Sequence, residues 1–434
     1  MNAPRLERLG FIELAPGVQR HHVLAYLFAA FVSIGLFTYL TTLTPYVFRV
    51  NLGIPAQQHG QLQGSLQFAQ EIILLAVIGF WGAMSDRWGR RPVYVAGFLI
   101  VALSYALYPF ADSTNTLVGY RLIYGVGIAA ISAMLATLIA DYPAESSRGK
   151  LAGVSFFLNG VGSVPFFVVL ARLPVWYQLE GGIAAGDPLW AGRYAFLTVA
   201  AIAILAAVVM LGLKPGRPDA VAPRVPLVSL VREGCMAARN PRIALSYASS
   251  VAARGDMAII TLFLQLWAIN LGIEKGMTAA DATAKAGAMV VGISQGTAVL
   301  WSLVFGWAAD RLDRLTLMVI AFMLATAGYG WIGLLPDVLA PSAIPALILL
   351  GIGQSSAILA TTLLLAREAP TAIRGSVFGV QSFCGAVAIL IISVVGGHVF
   401  DTVSPAAPFW IMTATNGVLL LWSLAMRIGS APSR

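Results

Sequence analysis

The sequence predicts an all-α membrane protein of twelve transmembrane helices arranged as two pseudo-symmetric six-helix bundles. Three observations carry that expectation: a composition too apolar for a soluble globule, twelve hydrophobic runs of spanning length, and two loop motifs that recur at nearly one offset. Of 434 residues, 59% are hydrophobic and 11% charged, and the formal net charge is +8. An ordinary soluble chain carries about 25% charged residues and about 45–50% apolar ones. With less than half that charge, the chain lacks the polar surface to cover a globule of its size. A soluble enzyme, a disordered chain and a fibrous repeat are therefore excluded. Cys235 and Cys384, with His21, His22, His59 and His398, give neither a zinc spacing nor a disulfide framework. No metal and no cofactor is expected.

The apolar runs fall at 23–48, 61–83, 92–111, 116–140, 151–171 and 194–213, then at 243–270, 286–309, 316–335, 343–366, 376–399 and 407–427. Each is close to the roughly 20 residues that cross a bilayer as a helix. The chain thus divides into a cytoplasmic N-terminal segment (1–22), a first six-helix bundle (23–213), a basic linker (214–242), a second bundle (243–427) and a short tail (428–434). Glu7, Glu13 and Pro16 do not suit a cleavable signal peptide, so the first run is expected to remain as a helix. The linker carries Lys214, Arg217, Arg224, Arg232, Arg239 and Arg242 with Pro215, Pro218, Pro223 and Pro226. With the N-terminus inside, 20 of the 27 Lys and Arg fall on the cytoplasmic side. Five (Arg49, Arg172, Arg193, Lys275, Lys285) fall outside, and Arg121 and Arg254 lie within spans. That asymmetry predicts both termini in the cytoplasm and a multi-pass protein of the inner membrane. The basic balance marks a membrane face, and no nucleic-acid partner is needed to explain it.

Internal repetition supplies the symmetry. GAMSDRWGRRP from Gly82 and GWAADRLDRLT from Gly306 align Gly82 with Gly306, Asp86 with Asp310, Arg87 with Arg311 and Arg90 with Arg314. A second pair aligns Gly125 with Gly351, Gly127 with Gly353, Arg148 with Arg374, Gly149 with Gly375 and Gly153 with Gly379. Two loops repeating at nearly one offset mean parallel duplicated halves around a midplane site.

At these residues the chain resembles the major facilitator superfamily of secondary transporters, and the resemblance covers its whole length. GAMSDRWGRRP is similar to that family's loop after span 2. The resemblance implies a conformational latch built from Gly82, Asp86, Arg87 and Arg90, joined by Asp141, with a second copy in Asp310, Arg311 and Arg314. Asp313 stands where the first copy has Gly89, which predicts a less tight second turn. Tyr120-Arg-Leu-Ile-Tyr-Gly-Val-Gly resembles the family's span-4 motif, implying a membrane-embedded arginine, Arg121, linked to proton transfer. The exporter signature on span 5 is not reproduced: Asn159-Gly-Val-Gly-Ser-Val-Pro165 has the small residues in another order.

Few charges lie within the predicted spans: Glu71 on span 2, Arg121 on span 4, and Arg254 and Asp256 on span 7. Each costs about 2.5–3.5 kcal/mol at a helix centre, so an intramembrane charge marks a functional position by default. Gln63, Gln67 and Glu71 recur every four residues with Gln70 beside them, which makes one polar stripe on span 2. A desolvated carboxylic acid there is suited to exchanging a proton. Glu71 and Asp256 are the proton-coupling candidates, and Arg121 and Arg254 the substrate-binding or tuning cations. Residues two apart on a helix do not share a face, so Arg254 and Asp256 are expected to meet different neighbours. Neutral candidates for the substrate site are Gln67, Gln70, Tyr39, Gln265, Gln295 and Gln354. Trp176, Tyr177 and Trp190 suit interface anchors. Gly125-Val-Gly127 mimics a dinucleotide fingerprint but lies within a span with no preceding strand, so it reads as close helix packing.

The expected function is secondary active transport of a small organic solute by alternating access, coupled to protons, by a monomer in the bilayer. Two acids with two arginines fit an organic anion or zwitterion at least as well as a cationic drug, and the altered span-5 motif leans toward uptake by symport. The alternatives are a proton-driven multidrug or metabolite efflux antiporter and, from another class, a transporter-like membrane sensor. A sensor needs an added signalling domain, for which the termini are too short. No nucleophile–base pair, metal set or P-loop supports an enzyme.

Overall fold

The computed structural model describes residues 7–216, 227–370 and 373–429. Arg5, Arg217, Arg224 and Arg434, with Pro218, Pro223 and Pro226, lie outside the described residues. Among the described residues, twelve helices are long and apolar enough to cross a membrane. Spans 1 to 6 are Arg20–Val50, Ala56–Trp88, Arg90–Phe110, Thr114–Asp141, Glu145–Gln178 and Pro188–Met210. Spans 7 to 12 are Pro241–Glu274, Ala279–Ala309, Arg314–Leu334, Pro341–Glu368, Arg374–Thr402 and Ala407–Gly429. The all-α twelve-span architecture is the one the hydropathy predicts.

Local chemistry sets the helix starts. Ser113 caps span 4 by accepting from the Thr116 N–H, and Asn240 caps span 7 just before Pro241. Span 6 begins six residues before the apolar run at 194. The Asp187 carboxylate accepts from the N–H groups of Leu189 (2.9 Å) and Trp190 (3.1 Å), and Pro188 occupies the first helical position. Arg193 is therefore in the second turn of span 6 rather than a loop cation. Its guanidinium lies 4.7 Å from the Trp190 ring and 4.8 Å from Phe110.

The chain forms two compact units. The first takes the chain up to Ile54, the chain from Ala69 to the central linker, and Ala279–Ala284. The second takes Pro55–Phe68, the chain from the linker to Thr278, and everything from Lys285 onward. The division departs from the predicted bundle boundaries at two places: the beginnings of spans 2 and 8 each cluster with the opposite set of helices.

In the first unit, span 1 packs on span 5, and span 3 packs on spans 4 and 6. Spans 1 and 5 touch at glycines: a side chain on Gly162 would collide with the Phe31 carbonyl, and one on Gly35 with the Phe166 ring. The N-terminal segment forms a small antiparallel hairpin, β1 (Arg8–Leu9) with β2 (Ile12–Glu13). It docks on the loop between spans 4 and 5. There the Ala15 N–H donates to the Tyr142 carbonyl and the Ala144 N–H to the Glu13 carbonyl, both at 2.9 Å.

The second unit repeats these pairings with span 7 on span 11 and span 9 on spans 10 and 12. The duplicated glycines do the same work in each half. Gly125 meets Gln70 and Ile73 of span 2, as Gly351 meets Ser294 of span 8. Gly127 meets Gly97 and Val101 of span 3, as Gly353 meets Leu324 and Ala325 of span 9. The beginning of span 2 lies on span 11 along a small-residue seam of Gly60, Gly64, Ser393 and Gly397. Two wide, π-helical turns interrupt the second unit, Ile260–Leu264 in span 7 and Ala286–Val291 in span 8, and they pack against each other.

Candidate functional site

The polar stripe of span 2 runs from near its start to its middle. Glu71 is near the middle of the 33-residue span. It is 8% exposed and engaged by neighbouring groups. Gln63 and Gln70 are buried and Gln67 is half-buried, so most of the stripe is enclosed by protein. The Gln70 amide oxygen is buried without a hydrogen-bond partner.

Arg121 is enclosed in the interior of the first unit. It donates to the Thr41 hydroxyl at 3.0 Å and lies 5.4 Å from the centre of the Tyr124 ring. Around it stand Tyr105, Tyr108 and Tyr124, whose hydroxyls are committed to protein partners. Tyr105 and Tyr124 donate to the Leu36 carbonyl, at 2.5 and 2.6 Å, and Tyr108 bonds Thr44 at 3.1 Å. Tyr39 differs from its expected place on an open substrate surface. It is fully buried, donates to the Leu170 carbonyl at 2.8 Å and packs edge-on against Phe166, so its hydroxyl holds span 1 to span 5.

Span 7 separates its two charges as helical geometry requires. Ser246, Ser250 and Arg254 form one stripe against span 11. Gln381 donates to the Ser246 hydroxyl (3.4 Å), Ser250 donates to the Gln381 carbonyl (3.0 Å), and the Arg254 stem lies over Gly385. Arg254 is exposed, although most of its span is enclosed. Asp256 points elsewhere. It is fully buried, and its Oδ1 accepts from Asn416 of span 12 at 2.9 Å. The two proton-coupling candidates thus occupy different surroundings, and Asp256 is enclosed among spans 7, 9 and 12 instead of facing an open path.

Among the neutral candidates, Gln295 Nε2 of span 8 donates to Gln354 Oε1 of span 10 at 3.3 Å, which brings those two side chains together. Gln265 is buried directly after the π-helical turn of span 7. Sequence reasoning did not single out Asn416 or Tyr329, the polar neighbours of Asp256. An asparagine within an apolar span was the available signal.

The signature loops differ between halves. In the first, Arg90 donates to Asp86 Oδ1 at 2.6 Å, to Ser85 Oγ at 2.5 Å and to Asp141 Oδ2 at 2.9 Å. Gly89 turns the chain at φ 95°. In the second, Asp313 is in an extended conformation and caps span 9, while Arg314 donates to the Ala309 carbonyl at 2.6 Å. Arg367, at the position matching Asp141, meets Asp313, the residue that stands in place of Gly89, at 3.8 Å, so span 10 carries the base of its ion pair where span 4 carries the acid. Arg87, Asp310 and Arg311 were expected in the latch. Among the described residues none of the three forms an ion pair: Arg87 and Asp310 face outward, and Arg311 folds over the Trp307 ring at 3.8 Å. Gly82 has open space beside it.

The family model described as Major Facilitator Superfamily matches residues 25–393. The chain is 27% identical over 421 residues to Magnetosome protein MamH of Paramagnetospirillum magneticum, covering 94% of this chain and 92% of that one. It is 26% identical over 385 residues to Magnetosome protein MamZ of the same organism, covering 86% of this chain and 57% of MamZ. Among solved structures, the nucleoside transporter NupG matches with a TM-score of 0.70 at 16% identity, over 94% of this chain and 99% of that one. A bacterial homologue of the human lysosomal transporter Spinster matches at 0.66 and 15%, over 95% and 98%.

Proposed function

Because the chain belongs to the Major Facilitator Superfamily, a family of secondary transporters working by alternating access, we propose that it moves a small organic anion or zwitterion by proton-coupled symport. It does so as a monomer in the inner membrane, with both termini in the cytoplasm. Arg254 carries this reading: it is an exposed guanidinium at mid-span, held by its stem against Gly385. An arginine there is retained against its insertion cost when it binds a negative group. Glu71, buried at the middle of span 2, is the proton carrier of the proposal, and Arg121 tunes the interior of the first unit. Gln67, Gln70, Gln265, Gln295 and Gln354 supply neutral hydrogen bonds to the solute. The lysine and arginine excess around the signature loops supports the cytoplasmic assignment.

The test is a thermal-shift screen of anionic, zwitterionic and cationic solutes at about pH 6 and about pH 8, since a ligand of the folded state raises the melting point by mass action. Proteoliposome uptake of the hit under an imposed pH gradient follows. Anionic hits lost in Arg254→Ala, with gradient-driven uptake lost in Glu71→Gln, are the expected result. Hits confined to bulky cations would overturn it in favour of proton-driven efflux.

A further inference from the structure

The helix of span 2 begins at His59, and its start is fastened by another span. A helix leaves its first N–H groups without intrahelical acceptors. Here the Gly60 N–H donates to Asp401 Oδ1 at 2.9 Å and the Gln61 N–H to Asp401 Oδ2 at 2.7 Å. These are the second and third helical residues, which an N-cap side chain ordinarily serves from the position just before the helix. Asp401 instead stands in the last turn of span 11, where its charge also meets the positive end of the span-2 dipole. Two side-chain pairs flank the cap. His59 Nδ1 and Asn270 Oδ1 of span 7 lie 3.3 Å apart, as do Gln61 Nε2 and His398 Nδ1 of span 11. One turn further in, the Gly64 backbone lies against Ser393.

Span 2 is shared between the two units: Pro55–Phe68 cluster with the second, and the chain from Ala69 with the first. Movement of one unit against the other must therefore bend span 2 or part its start from span 11. From His59 to Trp88 the span is a continuous α-helix with no internal proline. The contacts at its start are a few hydrogen bonds that water can replace, so parting is the easier route. The two ends of span 2 thus carry separate fastenings. The signature loop has the Asp86, Arg90 and Asp141 cluster within the first unit, and the opposite end has Asp401 within the second.

A cap that only finishes a helix comes from the helix's own chain segment. Taking it from span 11 makes the start of span 2 conditional on where span 11 stands. Asp401 is also half-buried, so water can hydrate the carboxylate when the helix leaves, and neither arrangement strands a charge. We propose that Asp401 is a gate latch: its carboxylate fastens the start of span 2 to span 11, and release of this cap opens the end of the protein remote from the signature loops. The fastening stands by itself, while its service as a gate rests on the transport reading above.

The test places spin labels on the full chain at Gln57 and Val403, both exposed, with Cys235 and Cys384 replaced by serine. Double electron–electron resonance then reads how often the start of span 2 is fastened to or parted from the end of span 11. Loss of a capping acceptor shifts such an equilibrium about 2- to 30-fold. Asp401→Ala should lower the ratio of fastened to parted molecules by that factor. Asp401→Asn, which keeps one acceptor oxygen, should lower it by less, and it carries the test where the alanine variant fails to fold. Thr402→Ala, on the same turn with its hydroxyl bonded to the His398 carbonyl, should leave the ratio unchanged. Equal ratios in the parent and both Asp401 variants overturn the latch. Bridging cysteines at 57 and 403 with a bifunctional thiol reagent should stop solute uptake in proteoliposomes, and uptake that continues through the bridge overturns the gate. A protein that moves no solute before bridging, yet shows the Asp401-dependent shift, overturns the transport reading alone.

Discussion

The seam between spans 2 and 11 makes a worked prediction. A Cβ on Gly64 would lie inside van der Waals contact with the Ser393 carbonyl oxygen, and one on Gly60 would stand 2.9 Å from the Gly397 carbonyl. The obstacle at Gly64 is backbone, so relief there requires the helices to separate. Overpacking of this kind costs about 1–3 kcal/mol, and alanine returns up to about 1 kcal/mol through helix propensity. A net loss of about 1–2 kcal/mol lowers the ratio of packed to separated helices roughly 5- to 30-fold. The Gln61 amide and the His398 ring meet across the same seam at 3.3 Å. Cysteines placed at 61 and 398, in a background with Cys235 and Cys384 replaced by serine, should therefore cross-link readily in the parent. Gly64→Ala should slow cross-linking, by up to that factor. Gly79→Ala, on the same helix with open space around its Cβ, should leave it unchanged. Equal rates for all three would refute the argument that backbone contact at Gly64 holds the seam.

Other expectations follow from named contacts. Arg90 reaches Ser85, Asp86 and Asp141 at once, which one lysine ammonium cannot span. Arg90→Lys should destabilise by less than about 1 kcal/mol, because both carboxylates are more than a third exposed, and the loss should shrink in high salt when melting is followed. Gly351→Ala pushes a Cβ into the Ser294 carbonyl, whereas Gly296→Ala meets nothing. The first should lower the melting point and the second hold or raise it. Between spans 9 and 10, burial alone would lift the Asp337 carboxyl, but the Lys275 ammonium and the Leu339 N–H that donate to it outweigh that and hold it below the ordinary carboxylate range. Its contribution is thus present above the ordinary carboxyl value of about 3.9 and disappears as pH falls through the lower, folded-state value. Wild type should out-melt Asp337→Asn at neutral pH, with the difference closing in acid; a gap that widens in acid would refute the sign.

The spans were legible because hydropathy and length act locally, and the repeats were legible because both halves keep their glycines in register. Gly125 was read as a packing residue, and both it and its repeat partner Gly351 meet the span that precedes theirs by two. The reversed pair was also within reach: Asp141 and Arg367 stand at the same offset as Arg148 and Arg374, with opposite charge. The surroundings of Asp256 were not legible. A lone asparagine and a lone tyrosine have no period to reveal which helix they face, and their meeting depends on how spans 7, 9 and 12 pack. The exchange at the starts of spans 2 and 8 was hidden for the same reason, since each is a long apolar helix whose two ends have different neighbours.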